Sequence, residues 1–194
     1  MKNGSIIIIT APSGAGKTSI THYLLEQFPT LRFSVSAATR PQREGEVNGK
    51  DYHFMSLTDF RQKIYEEAFI EWEMVYEGNY YGTLKSEIQR IWDEGNIPLL
   101  DIDVKGAIHV QQQFPENSLS IFIQAPSVEA LKSRLENRGT ETPHSIQTRI
   151  NKASYEMSFK DNFNITIVND ELPRAQQETV AVIEEFFSGE RQAS

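Results

Sequence analysis

The feature that most constrains the fold is a short strand that runs directly into a glycine-containing loop and then into a helix. Ile6–Thr10 is a β-branched run, typical of a strand buried on both faces within a parallel sheet. Gly14 and Gly16 interrupt the chain after it, and Lys17–Phe28 then places its apolar residues on one helical face. This order predicts the first unit of an α/β fold.

The rest of the chain repeats the alternation of strand and helix. Apolar runs at Leu99–Val104, Ile121–Ala125 and Ile165–Val168 predict further core strands. Ser127 is placed to cap a helix, and a last apolar stripe begins at Val180. Strands that alternate with helices predict a parallel sheet covered by helices on both faces.

The loop after the first strand carries a phosphate-binding pattern. It differs from G-x-x-x-x-G-K-[ST] only at its first position, where alanine replaces glycine. Backbone N–H groups at the start of a helix form a site for an anion, and the lysine and threonine suit β/γ-phosphates and Mg²⁺. The sequence therefore predicts a nucleoside triphosphate bound by Ala11, Pro12, Ser13, Gly14, Ala15, Gly16, Lys17 and Thr18.

Two stretches depart from the alternation of strand and helix. Residues from about 37 to 95 are rich in Tyr, Glu and Gly and contain no fully apolar strand, so we expect an inserted lobe. Residues from about 128 to 157 are helical with a polar turn at Arg138–Ser145, which suggests a mobile lid. We predict one domain, 1–194, whose core comprises about 1–36, 96–127 and 158–194.

Composition excludes several classes of function. The chain has 194 residues and no Cys, which excludes disulfides, thiol catalysis and cysteine-ligated zinc, and its four histidines lack metal-ligand spacing. A net charge of -8 argues against binding along a nucleic-acid backbone. No apolar run reaches the roughly 20 residues of a membrane helix. We expect a cytoplasmic protein that binds neither nucleic acid nor membrane.

Several further segments together resemble the guanylate kinase family. They span almost the whole chain in family order: Ser36–Arg43, Glu46–Tyr52, Asn79–Thr83, Asp101–Gly106, Arg138–Glu141 with Ile146 and Arg149, and Val168–Asp170. The resemblance implies a three-layer P-loop NTPase core with a parallel sheet, an inserted mixed α+β lobe that binds GMP, and a helical lid. It also implies transfer of the γ-phosphoryl group of MgATP to GMP, and to dGMP, within purine nucleotide recycling.

The resemblance assigns roles to individual residues. The GMP phosphate would be held by Ser36, Arg40, Arg43, Tyr52 and Tyr81, and the guanine edge would be read by Glu71, Thr83 and Asp103. Thr18 and Asp101 would lie near Mg²⁺, with water between, and Asn169 near the adenine of ATP. The phosphoryl group in transfer would be met by Lys17, Arg40, and Arg134, Arg138 and Arg149 from the lid.

Alternation along extended segments adds two expectations. Tyr80 and Tyr81 cannot both face the site, because neighbouring side chains of a strand point to opposite faces. The resemblance to the family assigns Tyr81 to the site, which leaves Tyr80 for packing. Asp101 and Asp103 are expected to share one face of a strand.

Arg40 and Arg43 suit phosphate because a guanidinium can form two parallel hydrogen bonds to it.

The sequence departs from the family pattern in three places, and two other functions stay open. Ala11 replaces the first P-loop glycine, Pro41 comes one position early, and one extra residue lies between Glu71 and Asn79. One alternative is a catalytically inactive module that binds phosphopeptides in the GMP pocket; the other is a kinase for another nucleoside monophosphate. A regulatory GTPase is disfavoured by the lack of an Asn-Lys-x-Asp motif. The expected oligomeric state is a monomer or homodimer.

Overall fold

The computed structural model describes residues 4–137 and 143–189. Strands and helices alternate along most of this length, as the apolar pattern predicts. The elements are β1 (Ile6–Thr10), α1 (Lys17–Gln27), β2 (Leu31–Phe33), β3 (Ala37–Ala38), β4 (His53–Phe54), α2 (Leu57–Tyr65), β5 (Phe69–Tyr76), β6 (Asn79–Leu84), α3 (Lys85–Asp93), β7 (Ile97–Asp101), α4 (Val104–Gln113), β8 (Ser118–Gln124), α5 (Val128–Asn137), α6 (Pro143–Met157), β9 (Ile165–Val168) and α7 (Leu172–Ser188).

Five strands form a parallel sheet with the order β2-β7-β1-β8-β9. The central strand β1 is buried along its whole length and pairs with β7 through Ile7 and Leu99 and with β8 through Ile9 and Ile121. A central strand contacts the core on both faces, which explains why four consecutive isoleucines, Ile6–Ile9, make up most of this strand. The predicted α/β fold with a parallel sheet is confirmed.

Alternate residues of β1 belong to different layers of the core. Ile7 and Ile9 pack in one apolar cluster with residues of α1, α5 and α7, whereas Ile6 and Ile8 pack in a second cluster with residues of α3 and α4. This follows from the two-residue period of a strand. The sheet therefore lies between two helical layers, and α1 and α7 meet edge to face through Phe28 and Phe187, whose ring centroids are 5.9 Å apart.

A second sheet with the order β4-β3-β6-β5 stands beside the first. Its long hairpin, β5 and β6, is antiparallel, with a register irregularity between Met74 and Tyr76. This irregularity lies between Glu71 and Asn79, where the sequence has one residue more than the family pattern. A small core backs this sheet, where Phe60 of α2 stacks on Phe69 at 4.4 Å. Tyr80 packs beside Phe60, with 5.7 Å between ring centroids, as expected of the tyrosine that faces away from the site.

One helix within the segment expected to form the lobe packs elsewhere. Ile88 of α3 lies in the apolar cluster around Ile6 and Ile8, so α3 covers the five-stranded sheet. The sequence-based segment of about 37–95 thus contains a second sheet with its own small core, followed by a helix that belongs to the packing of the first sheet.

The prediction that Asp101 and Asp103 share one face of a strand is wrong. β7 ends at Asp101, and Asp103 is instead the N-cap of α4, where its side chain accepts a 2.8 Å hydrogen bond from the Gly106 N–H. An aspartate at this position satisfies an N–H group that has no partner within the helix, and the strand ends three residues before the predicted end at Val104. Both carboxylates still reach the same cleft.

Candidate active site

The loop from Ala11 to Thr18 joins the carboxyl end of β1 to α1. Gly14 and Gly16 have φ angles of 90° and 98°, which favour glycine. Gly16 also lacks room for a side chain, because a Cβ there would lie 2.2 Å from Asn169 Nδ2. Ala11, in contrast, is buried and does not adopt a positive φ, so alanine fits this backbone where the usual pattern has glycine.

Lys17 and Thr18 begin α1 at the mouth of this loop. The Lys17 ammonium forms an ion pair with Asp101 and donates a 3.3 Å hydrogen bond to the Ile102 carbonyl oxygen. These two acceptors lie at the end of β7, the neighbour of β1 in the sheet. Lys17 is therefore held over the cleft between β1 and β7, and Thr18 lines the cavity beside it.

Two cavities meet at Lys17. The first, of about 260 Å³, lies under the second sheet; the other, of about 370 Å³, lies between the P-loop and α6. Both are lined by Lys17, Tyr52, Val75 and Asp103, so they are two halves of one cleft. Most residues predicted to hold GMP line the first half: Ser36, Arg40, Arg43, Tyr52, Glu71, Tyr81 and Asp103.

One end of the first cavity is acidic. Glu71 of β5 is 4% exposed, and its Oε1 accepts a 2.6 Å hydrogen bond from the Thr83 hydroxyl across the β5–β6 pair. Burial raises the pKa of Glu71 to about 7; the Thr83 hydrogen bond opposes this rise, and the charge of Asp103 adds to it. Buried Glu71 and half-buried Asp103 together offer adjacent acceptors to a ligand that carries adjacent donors.

The other end of the same cavity is cationic. Arg40 is 9% exposed, and its guanidinium lies 4.8 Å from the centroid of the Tyr52 ring. The same guanidinium forms an ion pair with Glu46. This ion pair raises the pKa of Arg40 and lowers the pKa of Glu46 to about 2. Burial raises the pKa of Tyr81, and the neighbouring Arg40 charge opposes that rise. Arg43 and Ser36 complete this end, which suits an anion.

The second cavity brings lid residues to the P-loop. Arg149 of α6 donates a 2.8 Å hydrogen bond from Nη1 to the Ser13 hydroxyl, and it lines this cavity together with Lys152 and Glu156 of the same helix. Arg138, the other lid arginine assigned by the sequence, lies outside the described residues. The structure therefore brings one predicted lid cation to the phosphate loop.

Asn169 links the P-loop to the carboxyl end of the edge strand β9. It is 3% exposed, donates a 2.7 Å hydrogen bond from Nδ2 to the Ala15 carbonyl oxygen and receives one of 2.7 Å at its own carbonyl oxygen from Arg134. Its side-chain oxygen is buried and has no hydrogen-bond partner. A buried amide oxygen without a partner can accept a donor from a ligand placed beside the P-loop.

The sequence analysis assigned no role to Glu46, which pairs with Arg40, or to Lys152 and Glu156, which line the second cavity. Glu46 lay within a matched segment, but its ion pair with Arg40 could not be inferred from their spacing. Lys152 and Glu156 follow Arg149 at intervals of three and seven residues, which places them on the same helical face. That spacing was the available signal for a polar lid face.

Thr18 and Asp101 are the two oxygen donors assigned to a divalent cation by the resemblance. Within the described ranges no group of three His, Cys, Asp or Glu side chains could hold a metal ion. The oxygen donors of Thr18 and Asp101 fit Mg²⁺, which commonly uses one or two protein oxygens together with water and substrate phosphates.

Across the same described ranges, no helix is both long and apolar enough to cross a membrane.

Comparison with known proteins gives one consistent result. The guanylate kinase family model matches residues 3–186. The chain is 47% identical over 185 residues to a guanylate kinase of Chlorobium chlorochromatii, covering 95% of this chain and 97% of the relative. It is 45% identical over 187 residues to one of Bacteroides thetaiotaomicron, covering 96% and 92%.

A solved structure agrees with these relatives. The crystal structure of guanylate kinase from Anaplasma phagocytophilum matches with a TM-score of 0.73 at 30% identity, covering 100% of this chain and 90% of that one. The match spans the P-loop sheet and the second sheet alike. The resemblance inferred from the sequence segments is confirmed, and the chain belongs to the guanylate kinase family.

Proposed function

We propose that the two halves of the cleft carry out the family reaction, transfer of the γ-phosphoryl group of ATP to GMP or dGMP, with GMP under the second sheet and ATP on the P-loop. The observation that carries this proposal is the meeting of the two cavities at Lys17. A donor on the P-loop and an acceptor in the first cavity would have their phosphates on either side of this ammonium. Phosphoryl transfer depends mainly on such positioning and on charge neutralisation.

In the first cavity, the cationic end would bind the GMP phosphate and the acidic end the base. The guanidinium groups of Arg40 and Arg43 would bind phosphate oxygens together with hydroxyls of Ser36, Tyr52 and Tyr81. At the other end, Glu71 and Asp103 would accept hydrogen bonds from the ring N–H and the exocyclic amine of guanine. Adenine pairs a donor with acceptors along the corresponding edge, so two carboxylates favour guanine.

In the second cavity, the backbone N–H groups of the P-loop would bind the ATP phosphates. Lys17 would leave Asp101 for the β/γ-phosphates, because a phosphate carries more charge than one carboxylate. Arg149, with Arg134 and Arg138, would neutralise charge on the phosphoryl group during transfer. The unpartnered oxygen of Asn169 would accept a hydrogen bond from the adenine amino group.

The acceptor needs no general base. The attacking atom is a phosphate oxygen that is already anionic near neutral pH, so the chain has to bring two anions together rather than remove a proton. Thr18 and Asp101 would hold Mg²⁺, Asp101 through water. When bound, Mg²⁺ neutralises charge on the donor phosphates.

We also propose that the cleft closes around its substrates. The second sheet supplies one wall of the cleft and the lid helix α6 supplies another, whereas the P-loop follows a strand of the five-stranded sheet. Closure by the GMP lobe, about 37–95, and the lid, about 128–157, would exclude water as a competing acceptor. The small core around Phe60 supports the lobe as a separate unit, and the packing of α3 on the five-stranded sheet supports a moving boundary before Lys85.

The decisive experiment is an ADP-release assay with MgATP and GMP, dGMP, AMP, UMP or CMP as acceptor. We expect turnover with GMP and dGMP and little with the others. A kinase of different specificity would prefer another acceptor, and a phosphopeptide-binding module would bind GMP without turnover. X-ray scattering with GMP and a non-hydrolysable ATP analogue should show compaction, and unchanged dimensions would contradict closure.

The remaining sequence-based expectations belong to the same proposal. Sedimentation analysis would decide between a monomer and a homodimer. The cytoplasmic location rests on the absence of cysteine and on the use of ATP and GMP.

A further inference from the structure

Gly106 lies in the first turn of α4, directly against the acidic end of the GMP cavity. A Cβ atom built on it would be 2.6 Å from Glu71 Oε2, 3.1 Å from Glu71 Cδ and 3.4 Å from Asp103 Oδ1. The side chain missing at this position therefore leaves the space that the Glu71 carboxylate occupies. Both carboxylates assigned to guanine converge on this one glycine.

The backbone of α4 does not itself call for glycine here. Gly106 is absent from the residues with positive φ, and it lies inside a helix, where alanine is the better helix former. Space for the Glu71 carboxylate is the feature of the structure that excludes a larger residue.

Neither the helix nor the strand can easily move apart to admit a methyl group. Gln113, in the last turn of α4, donates a 2.7 Å hydrogen bond to the Ile70 carbonyl oxygen of β5, and the Gly106 N–H is bound to the Asp103 cap. Glu71 Oε1 is bound to Thr83 on its other side. The group that can move most easily is the carboxylate at the end of the Glu71 side chain. An added methyl group would therefore displace this carboxylate and leave the fold intact.

We propose that Gly106 is a positioning residue of the guanine site: its lack of a side chain holds the Glu71 carboxylate beside Asp103, so that the two present adjacent acceptors to guanine. The inference rests on the proposed roles of Glu71 and Asp103 in reading the base. Gly106 contacts no substrate and acts through Glu71.

The test is Gly106→Ala, assayed with GMP and with inosine monophosphate, which lacks the exocyclic amine. We expect the KM for GMP to rise about tenfold, the KM for ATP to stay within about twofold, and the preference for GMP over inosine monophosphate to fall, because one charge-assisted acceptor is displaced. The unfolding temperature should stay the same or rise, because alanine favours the helix.

Two further variants separate positioning from folding. Gln112→Ala places alanine at an exposed site of the same helix and should change neither KM. Gly82→Ala is a contrasting case, because its Cβ would meet the Glu71 carbonyl oxygen of the backbone at 2.9 Å, and it should lower the unfolding temperature. A Gly106→Ala protein that unfolds, or that binds GMP like the parent, would overturn the proposal.

A double-mutant comparison tests whether the effect passes through Glu71. In a Glu71→Ala background, Gly106→Ala should leave the KM for GMP unchanged, because no carboxylate remains to displace; an equal loss in both backgrounds would overturn the proposal. NMR titration of Glu71 without nucleotide gives a readout independent of activity. Gly106→Ala should lower the Glu71 pKa, and this result would stand even if the parent protein failed to phosphorylate GMP, which would count against the proposed function alone.

Discussion

Arg40, which lines the first cavity, and Glu46 form a two-point ion pair. Arg40 Nη1 donates to Glu46 Oε2 at 2.7 Å, and Nη2 donates to Oε1 at 2.6 Å. Glu46 Oε2 also accepts a 2.8 Å hydrogen bond from the Arg43 backbone N–H. One carboxylate thus fixes both the plane of the Arg40 guanidinium over Tyr52 and the loop that carries Arg43.

The first prediction concerns this carboxylate. Glu46→Gln keeps the shape of the side chain but removes one acceptor and the charge, so Arg40 loses its fixed orientation before GMP binds. We expect the KM for GMP to rise about tenfold with little change in kcat, as measured in the ADP-release assay. Glu44→Gln, an exposed neighbour, should leave the KM unchanged. A lower KM for GMP in Glu46→Gln would show that Glu46 competes with the phosphate instead of preparing its site.

The second prediction concerns stability and pH. The Glu71 pKa is about 7 in the folded protein and 4.5 ordinarily, so the ionised carboxyl costs the folded state roughly 3 kcal/mol. The stabilisation from this raised pKa is complete below the ordinary pKa and is lost as pH rises through the folded pKa. Glu71→Gln should therefore gain roughly 3 kcal/mol in free energy of unfolding over the parent between about pH 4 and about pH 8.

Denaturant titrations at several pH values measure this difference. Glu77→Gln, at the exposed hairpin turn, is the matched control for removing one carboxylate. Equal pH dependence of the parent and Glu71→Gln would contradict the raised pKa. The stabilised Glu71→Gln variant should nevertheless bind GMP poorly, because it presents one fewer anionic acceptor to guanine.

The third prediction concerns the cation between the two cavities. Lys17→Met keeps the length and apolar stem of the side chain but removes the ammonium that would neutralise the phosphates. We expect kcat to fall by about 10²–10³-fold, with the KM for GMP less affected, as read from initial rates at saturating ATP. Lys132→Met, on the exposed face of α5, is a matched control and should retain the parent rate. A variant that retains most of its kcat would remove Lys17 from the chemistry.

The fourth prediction concerns Asn169, which binds the P-loop and is proposed to contact the adenine of ATP. Asn169→Ala removes the Ala15 hydrogen bond and the unpartnered oxygen together. We expect the KM for ATP to rise about tenfold while the KM for GMP stays within about twofold. Nucleotide titration followed by calorimetry checks the same split in binding. A selective rise in the KM for GMP would contradict the placement of ATP on the P-loop.

Short-range sequence patterns predicted the elements whose structure depends on neighbouring residues. The bounds of β1, Ile6–Thr10, follow from a β-branched run typical of a strand that is buried on both faces. The predicted Ser127 cap is observed, since its hydroxyl accepts a 3.1 Å hydrogen bond from the Ala130 N–H. Asp103 shows where this reasoning fails. An aspartate fits both a strand end and a helix cap, and the choice depends on the α4 N–H group that binds it.

The site shows the same division between local pattern and tertiary packing. The P-loop was visible because its function requires adjacent residues. The link from Asn169 to Ala15 joins residues far apart in the chain, and Gly106 becomes informative only once Glu71 is seen beside it. Contacts of this kind leave no spacing in the sequence, because they are formed by tertiary packing: that of β9 beside the P-loop for Asn169, and that of α4 on β5 for Gly106.

Asn169 also has a consequence for how the protein is made. The P-loop follows the first strand of the chain, yet its Ala15 carbonyl is bound by a residue after the last strand, and α1 is covered by α7. Such distant pairs can form only after the intervening chain has been synthesised and its loops have closed. We therefore expect a growing polypeptide on the ribosome to hold ATP poorly until nearly all of this sequence has emerged.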